Sequence, residues 1–310
     1  MNNSLAIKLV YSVSSVLEGK REAAELAVTA LLAGGHLLIE DVPGVGKTTL
    51  SLAIAAAAGC SFGRIQFTPD TMPSDIFGVS IYSSESKSFE YKAGPLMKNI
   101  ILADEINRTP PKTQSALLEA MQEGQITVDG VTYPLPRPFF VVATQNPIEQ
   151  YGTYPLPEAQ LDRFMMRVSI GYPDRASEES LISNAVSGKR SGKAGQVLDA
   201  HSLVGLMDEV KKVSICPEII SYIAQLVELT RNSEYLTLGA SPRAAIAAAH
   251  AAQAAAYIAG RDYATPDDVK KIFRAVTAHR VIISTRTRAE GHDAQWVIGR
   301  IMSSVKVPVI

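Results

Sequence analysis

The chain has 310 residues, more than a single hydrophobic core usually serves, so two domains are expected. A formal net charge of −1, with 46% hydrophobic and 20% charged residues, describes an ordinary globular protein and gives no electrostatic footprint for nucleic acid or an anionic membrane. No apolar run approaches the ~20 residues of a membrane span, Met1-Asn2-Asn3-Ser4-Leu5 does not read as a secretion signal, and Cys60 and Cys216 stand far apart; a cytoplasmic protein with buried free thiols is the expectation.

Residues 5–18 and 21–33 read as two helices parted by Gly19-Lys20. His36–Glu40 reads as a short buried strand, followed by Asp41-Val42-Pro43-Gly44-Val45-Gly46-Lys47-Thr48-Thr49 and an alanine-rich helix to about Ala58. A strand, a glycine-rich turn and Lys-Thr opening a helix is the pattern of a phosphate-binding loop. Its glycines let backbone N–H groups turn toward phosphate oxygens, the helix N-terminus adds partial positive charge, Lys47 reaches the β- and γ-phosphates, and the Thr48 hydroxyl can ligate Mg²⁺. Asp41 departs from the usual pattern, which begins with glycine.

Gly63–Phe67 reads as a second strand, then an irregular stretch holds Pro69, Pro73 and a serine-rich turn at residues 83–88. Asn99–Ala103 is an apolar strand buried on both faces, and Lys112–Gln122 has helical periodicity. Gln125–Val128 and Val131–Tyr133 flank Asp129-Gly130, a strong hairpin signal. Phe139–Ala143 is a further strand, followed by a helix around Glu158–Asp162 and a last strand over Phe164–Ile170. Strands alternating with helices predict an α/β domain with a mostly parallel sheet.

After Tyr172-Pro173 helical patterns dominate, with a flexible loop at Ser187–Gly195. Ser241-Pro242 and Thr265-Pro266 each read as an N-cap followed by proline at the first helical position. Between them runs an alanine-rich helix, Arg243–Ala259, whose composition predicts close helix–helix packing. The second domain is expected to be a small helical bundle.

Four further groups carry chemistry. Asp104-Glu105 ends an apolar strand, placing two carboxylates at the sheet edge where α/β proteins bind ligands; Asp104 would hold Mg²⁺ and Glu105 would polarise an attacking water. Asn146 ends the Phe139 strand and could hold that water or the γ-phosphate. Arg163 stands at a helix-to-strand corner, and Arg243 in the first turn of the alanine-rich helix. A planar guanidinium suits transition-state phosphate charge better than an ammonium does.

In this order these groups resemble the AAA+ ATPases. The segments Gly34–Thr48, Pro73–Gly78, Ala103–Arg108, Ala143–Pro147 and Leu156–Phe164 narrow the resemblance to the MoxR family, for which Asp41 looks usual. The resemblance implies a P-loop core over residues 1–172 and an α-helical lid over 173–310. It makes Pro43, Gly44, Val45, Gly46, Lys47, Thr48 and Thr49 the Walker A loop and Asp104 and Glu105 the Walker B pair. Asn146 then matches sensor 1, Arg163 the arginine finger and Arg243 sensor 2, while Gly19 and Lys20 lie where the adenine-side segment is found. Residues 76–94 match the helix-2 insertion, and the Asp129-Gly130 hairpin the pre-sensor-1 insertion. The resemblance also implies ATP and Mg²⁺ as cofactors, a homo-oligomeric ring of six, and partnership with a von Willebrand factor A (VWA) domain protein and a client. The ATPase subunit of a metal chelatase shares both insertions and is the alternative. A nucleic-acid motor predicts a basic pore hairpin, and Ile126–Tyr133 holds no Lys or Arg.

Overall fold

The computed structural model describes residues 3–146, 152–187, 192 and 194–308. Pro147, and residues 188–191 and 193 of the expected Ser187–Gly195 loop, lie outside the described residues.

The chain opens with α1 (Asn3–Ser14) and α2 (Arg21–Leu32). Helix α1 stops four residues short of the expected end. Hydroxyls compete for the carbonyls of its last turn: Ser14 Oγ donates to the Tyr11 carbonyl at 3.0 Å and Ser15 Oγ to the Ser12 carbonyl at 2.8 Å. Then come β1 (Leu37–Glu40), α3 (Lys47–Ala57) and β2 (Phe62–Gln66). The stretch expected to be irregular instead holds a short helix, α4 (Pro73–Phe77), and an antiparallel hairpin of β3 (Gly78–Ser83) and β4 (Ser88–Ala93). Next are β5 (Ile100–Asp104), α5 (Pro111–Glu123), a hairpin of β6 (Gln125–Val128) and β7 (Val131–Pro134), β8 (Phe140–Gln145), α6 (Glu158–Leu161) and β9 (Met166–Val168). Asp129 and Gly130 make the β6–β7 turn with φ of 50° and 80°, the left-handed pair that matches strand twist. Strand β9 is shorter than expected because Asp41, not a neighbouring strand, takes the amides of Ile170 and Gly171.

Five strands form the main sheet in the order β2-β5-β8-β1-β9, every neighbouring pair parallel. Parallel strands put all their C-terminal ends on one edge, and the phosphate loop, Glu105 and Asn146 leave the sheet there. Alternate residues face opposite sides. Leu37, Ile39, Ile100, Leu102, Phe140 and Val142 join one apolar cluster; Leu38, Ile101, Ala103, Val141 and Ala143 join the other.

The lid comprises α7 (Arg175–Val186), α8 (Ala200–Val210), α9 (Pro217–Arg231), β10 (Leu236–Leu238), α10 (Pro242–Ile258), α11 (Pro266–Thr277), β11 (Ile282–Ile283), α12 (Thr285–Ala289) and α13 (Ala294–Ser304). Strands β10 and β11 pair antiparallel, a small element not anticipated from sequence. Helix α10 starts as expected, with the Ser241 hydroxyl accepting the Ala244 N–H and Pro242 at the first position. Its alanines explain its place: α1, α2, α8, α9 and α11 all pack on it, and Ala244, Ala248, Ala251 and Ala252 are wholly buried. Short side chains let that many neighbours approach one axis. The larger apolar cluster runs without a break from α1 and α2 through one face of the sheet into the lid. The helical lid and the α/β core therefore share one apolar core.

Among the described residues no helix is long and apolar enough to cross a membrane. Both cysteines are free, but half-buried rather than buried as expected. Burial and the nearby Asp199 push the Cys60 thiol up to about 11.

Candidate active site

The phosphate loop is built by conformation as much as by side chains. Gly44 and Gly46 take φ of 87° and 102°, a region that a Cβ strains, so glycine is required at both. Gly46 caps α3, whose first two residues are Lys47 and Thr48. Lys47 Nζ donates to the Asp41 carbonyl and to the Gln145 carbonyl, the latter at 3.4 Å. The loop is thereby tied to the end of β8 beside it. The Gln145 carbonyl also accepts the Asp41 N–H at 3.2 Å.

At the end of β5, Asp104 and Glu105 are held differently. The Thr144 hydroxyl donates to the Asp104 carboxylate at 2.7 Å and accepts the Glu105 N–H at 2.8 Å. One buried hydroxyl on β8 thus fixes both carboxylate residues. Asp104 also pairs with Arg64 at 2.7 Å. Glu105 has φ of 59°, and among the described residues it is the one non-glycine at positive φ that is not in a hairpin turn. Such a backbone costs of order 1–3 kcal/mol and persists where the surroundings enforce it; here it aims the Glu105 side chain away from the line of β5. The carboxylate meets the Gln66 amide at 3.0 Å and Arg108 Nε at 3.2 Å. Asn146, 5% exposed, follows β8 between the loop and the Asp104-Glu105 pair.

Strand β8 separates β1 from β5, so the ends of β1 and β5 stand roughly 10 Å apart at ordinary strand spacing. Thr48 and Asp104 lie on either side of that gap. A hydroxyl and a carboxylate are the hard oxygen donors that Mg²⁺ takes, with waters completing its shell; the donor set fits the ion.

Arg163 and Arg243 lie elsewhere. Together with Gly34, Gly35 and His36 they line a cavity of about 260 Å³. Those three residues immediately precede β1, so the cavity sits at the N-terminal edge of the sheet, opposite the phosphate loop. The two arginines share it across the core–lid junction, which is held by Arg280. The Arg280 side chain, 2% exposed, donates to the Asp162 carboxylate at 2.7 Å and to the carbonyls of Asp162, Phe164, Met165 and Val276. The Ser241 hydroxyl donates to the same carboxylate at 3.0 Å, bringing the start of α10, and with it Arg243, beside Arg163. Burial lowers Arg280 to about 10, with Asp162 opposing. Among the described residues neither the Arg163 nor the Arg243 side chain has a hydrogen-bond or ion-pair partner.

Gly19 and Lys20 lie against the segment that joins β9 to the lid. Lys20 Nζ donates to the Tyr172 carbonyl at 2.5 Å, and a Cβ on Gly19 would stand 2.8 Å from Ser177 Oγ. The sequence reading missed Gln66, Thr144, Arg64 and Arg108 as site groups. Strand register makes three of them neighbours of the carboxylates: on β2 Gln66 is level with Asp104 and Arg64 with Leu102, and Thr144 follows the β8 residue level with Ala103. Arg108, three residues past Glu105, was legible as spacing but carried no pattern of its own.

Comparison with known proteins agrees with this arrangement. The sequence profile described as "ATPase family associated with various cellular activities (AAA)" matches residues 36–166, and that of the AAA lid domain matches residues 228–301. The Bacillus subtilis protein YeaC is 49% identical over 97% of this chain and 94% of its own length. Chaperone MoxR1 of Mycobacterium tuberculosis is 38% identical over 98% of this chain and 82% of its own. A crystal structure from Cytophaga hutchinsonii, described provisionally as an ATPase, superposes with a TM-score of 0.91 at 39% identity, covering 99% of this chain and 96% of that one. With phosphate loop, paired carboxylates, polar strand end and helical lid in place, the chain belongs to the MoxR family of AAA+ ATPases and is an ATP-hydrolysing enzyme.

Proposed function

We propose that the enzyme works as a homo-oligomeric ring of six in the cytoplasm, hydrolysing ATP with Mg²⁺ to remodel, mature or assemble other proteins, in company with a VWA-domain partner. The observation that carries the ring is the split site: Lys47, Asp104 and Glu105 are on one edge of the sheet, and the two unpartnered arginines share a cavity on the other. Neither guanidinium reaches its own chain's phosphate loop across the length of β1. In a head-to-tail ring each would face the loop of the next copy.

In that assembly the loop amides and Lys47 bind the phosphates of ATP. Mg²⁺, bound by Thr48 and Asp104, would neutralise charge on the β- and γ-phosphates. Glu105 orients the attacking water, and Asn146 contacts the water or the γ-phosphate. Arg163 and Arg243 from the neighbour meet the charge that develops as the γ-phosphate leaves. Gly19 and Lys20 bound the adenine side. The core of residues 1–172 and the lid of 173–310 then move against each other as the γ-phosphate contacts are lost.

The name of Chaperone MoxR1 supports protein clients, and so does the surface of the β3–β4 hairpin. Val79, Ile81, Tyr82 and Phe89 are 42%, 49%, 54% and 74% exposed, an apolar display of the kind that marks a protein-binding face. The test is ATP turnover as a function of protein concentration, for wild type and Glu105→Gln. Turnover per subunit should climb steeply as rings form and stay flat at background for the variant. Turnover per subunit that does not change with concentration while the assembly state does would refute the shared site.

A further inference from the structure

Asp41 stands where a phosphate loop ordinarily has glycine, and its side chain makes contacts that glycine cannot. The residue is 8% exposed. Its carboxylate accepts the Ile170 N–H, the Gly171 N–H at 3.3 Å and the Ser169 hydroxyl at 3.0 Å. Its carbonyl accepts Lys47 Nζ, and its N–H donates to the Gln145 carbonyl. One residue is therefore bonded in three directions: to the lysine of the loop, to the end of β8, and to the strap that leads from β9 into the lid.

The strap has little freedom beyond that anchor. Two residues after Ile170, the Tyr172 carbonyl accepts Lys20 Nζ at 2.5 Å. Two residues later again, the Asp174 carboxylate accepts the Ser177 N–H at 2.8 Å in the first turn of α7. The hydroxyl of Ser177 is packed on Gly19. A shift of the strap is thus a shift of the start of the lid. The carbonyl and carboxylate of Asp41 hang from one Cα, so a displacement of that backbone toward or away from Lys47 carries the carboxylate with it relative to Ile170 and Gly171.

We propose that Asp41 is a positioning residue, coupling the placement of Lys47 at the phosphates to the strap that carries the lid. The proposal rests on the ATPase assignment above and adds to it the route by which phosphate contact reaches the lid. Lys47 exchanges bonds between the Asp41 carbonyl and phosphate oxygens as ATP binds and is hydrolysed. The strap, held by the Asp41 carboxylate, registers that exchange.

The test uses the full chain with ATP for kinetics and AMP-PNP for hydrogen–deuterium exchange across residues 166–180. In the wild type AMP-PNP should change exchange at the strap. In Asp41→Ala that response should vanish while kcat falls about tenfold and KM moves by less than about threefold, the split expected of lost positioning rather than lost binding. Asp41→Asn should restore both, because its carbonyl oxygen can accept the two backbone N–H groups and its NH₂ can donate to Ser169. A static staple would lower thermal stability in Asp41→Ala and leave the AMP-PNP response intact. That outcome, a wild-type kcat in Asp41→Ala, or an Asp41→Asn protein that fails to recover the response, overturns the proposal. Should Asp41→Ala not fold, Ser169→Ala keeps the two backbone bonds and should show the same loss at partial amplitude; an unaltered strap response and kcat there, or an Asp41→Asn protein that lacks the response, is the contrary result. Wild-type protein that binds neither nucleotide would instead overturn the ATPase assignment itself.

Discussion

The side-chain amide of Gln66 donates to the Glu105 carboxylate at 3.0 Å, from a strand separated by two others from the one that leads into the phosphate loop. Arg108 Nε forms an ion pair with the same carboxylate oxygen at 3.2 Å. A carboxylate with lone pairs committed to donors is a poorer partner for water, so Gln66 restrains the group expected to orient the nucleophile. Replacing Gln66 by Leu should raise basal ATP turnover at least about threefold, whereas Glu105→Gln should lower it by a hundredfold or more, about the size of a general-base contribution. Steady-state phosphate release measures both. Unchanged or slower turnover in Gln66→Leu would show that the amide positions Glu105 rather than restraining it.

Arg280 and Asp162 pin the lid to the core from the opposite edge. The guanidinium is almost wholly shut from water, and four backbone carbonyls share its donors with the carboxylate. Removing one partner of such a pair strands the other charge, at a cost of about 3–5 kcal/mol. Asp162→Ala should therefore lower the urea midpoint strongly, and it should separate Arg243 from Arg163 by loosening the start of α10. Chemical denaturation followed by circular dichroism checks the first effect. A loss under about 1 kcal/mol would place the pair among weak surface bridges.

His36 makes stability depend on pH. Burial pushes its pKa down from 6.5 to about 4, with the Met121 carbonyl opposing. Nδ1 accepts the Val141 N–H at 3.1 Å, and Nε2 lies 3.1 Å from the Met121 carbonyl, which assigns the proton to Nε2. A second proton on Nδ1 would face the Val141 N–H donor to donor. The unfolded chain gains a proton as pH falls through 6.5, but the native ring stays neutral until about 4. The stability present above pH 6.5 is therefore lost between those limits, at up to about 1.4 kcal/mol per unit. His279, buried and next to the Arg280 charge, is shifted in the same direction. Between pH 7 and pH 5 the wild type should lose about 2 kcal/mol more unfolding free energy than His36→Gln, which cannot titrate. Equal losses in the two proteins would contradict the assignment.

Much of the phosphate edge was legible because each of its parts is local. Gly44, Gly46, Lys47 and Thr48 lie within one five-residue stretch; Asp104-Glu105 ends an uninterrupted apolar run and Asn146 follows another by two polar residues, and such runs are what a strand covered on both faces produces. The Asp129-Gly130 turn and the Ser241 and Thr265 caps were likewise written in neighbouring residues. The β3–β4 hairpin was not legible, because neither face is buried in the core: exposed Val79 and Ile81 on one face and Tyr82 and Phe89 on the other leave no alternation of apolar and polar. Gln66 and Thr144 act through strand register, and register is a long-range property. The meeting of Arg163 with Arg243 depends on Asp162, Ser241 and Arg280 converging from distant parts of the chain. What Asp41 does could not be read from a loop motif either, since its partners lie about 130 residues further on.

The central claim, a site completed by a neighbouring subunit, is tested most directly by mixing two inactive proteins. Lys47→Ala lacks the phosphate lysine but retains both arginines; Arg163→Ala retains an intact phosphate loop and should itself be slower by about a thousandfold. Mixed at a concentration where rings form, the two should recover ATP turnover well above either parent, because some loops will be whole and face a whole arginine. Turnover that stays at the level of the parents, in rings shown by mass to contain both proteins, would contradict the shared site.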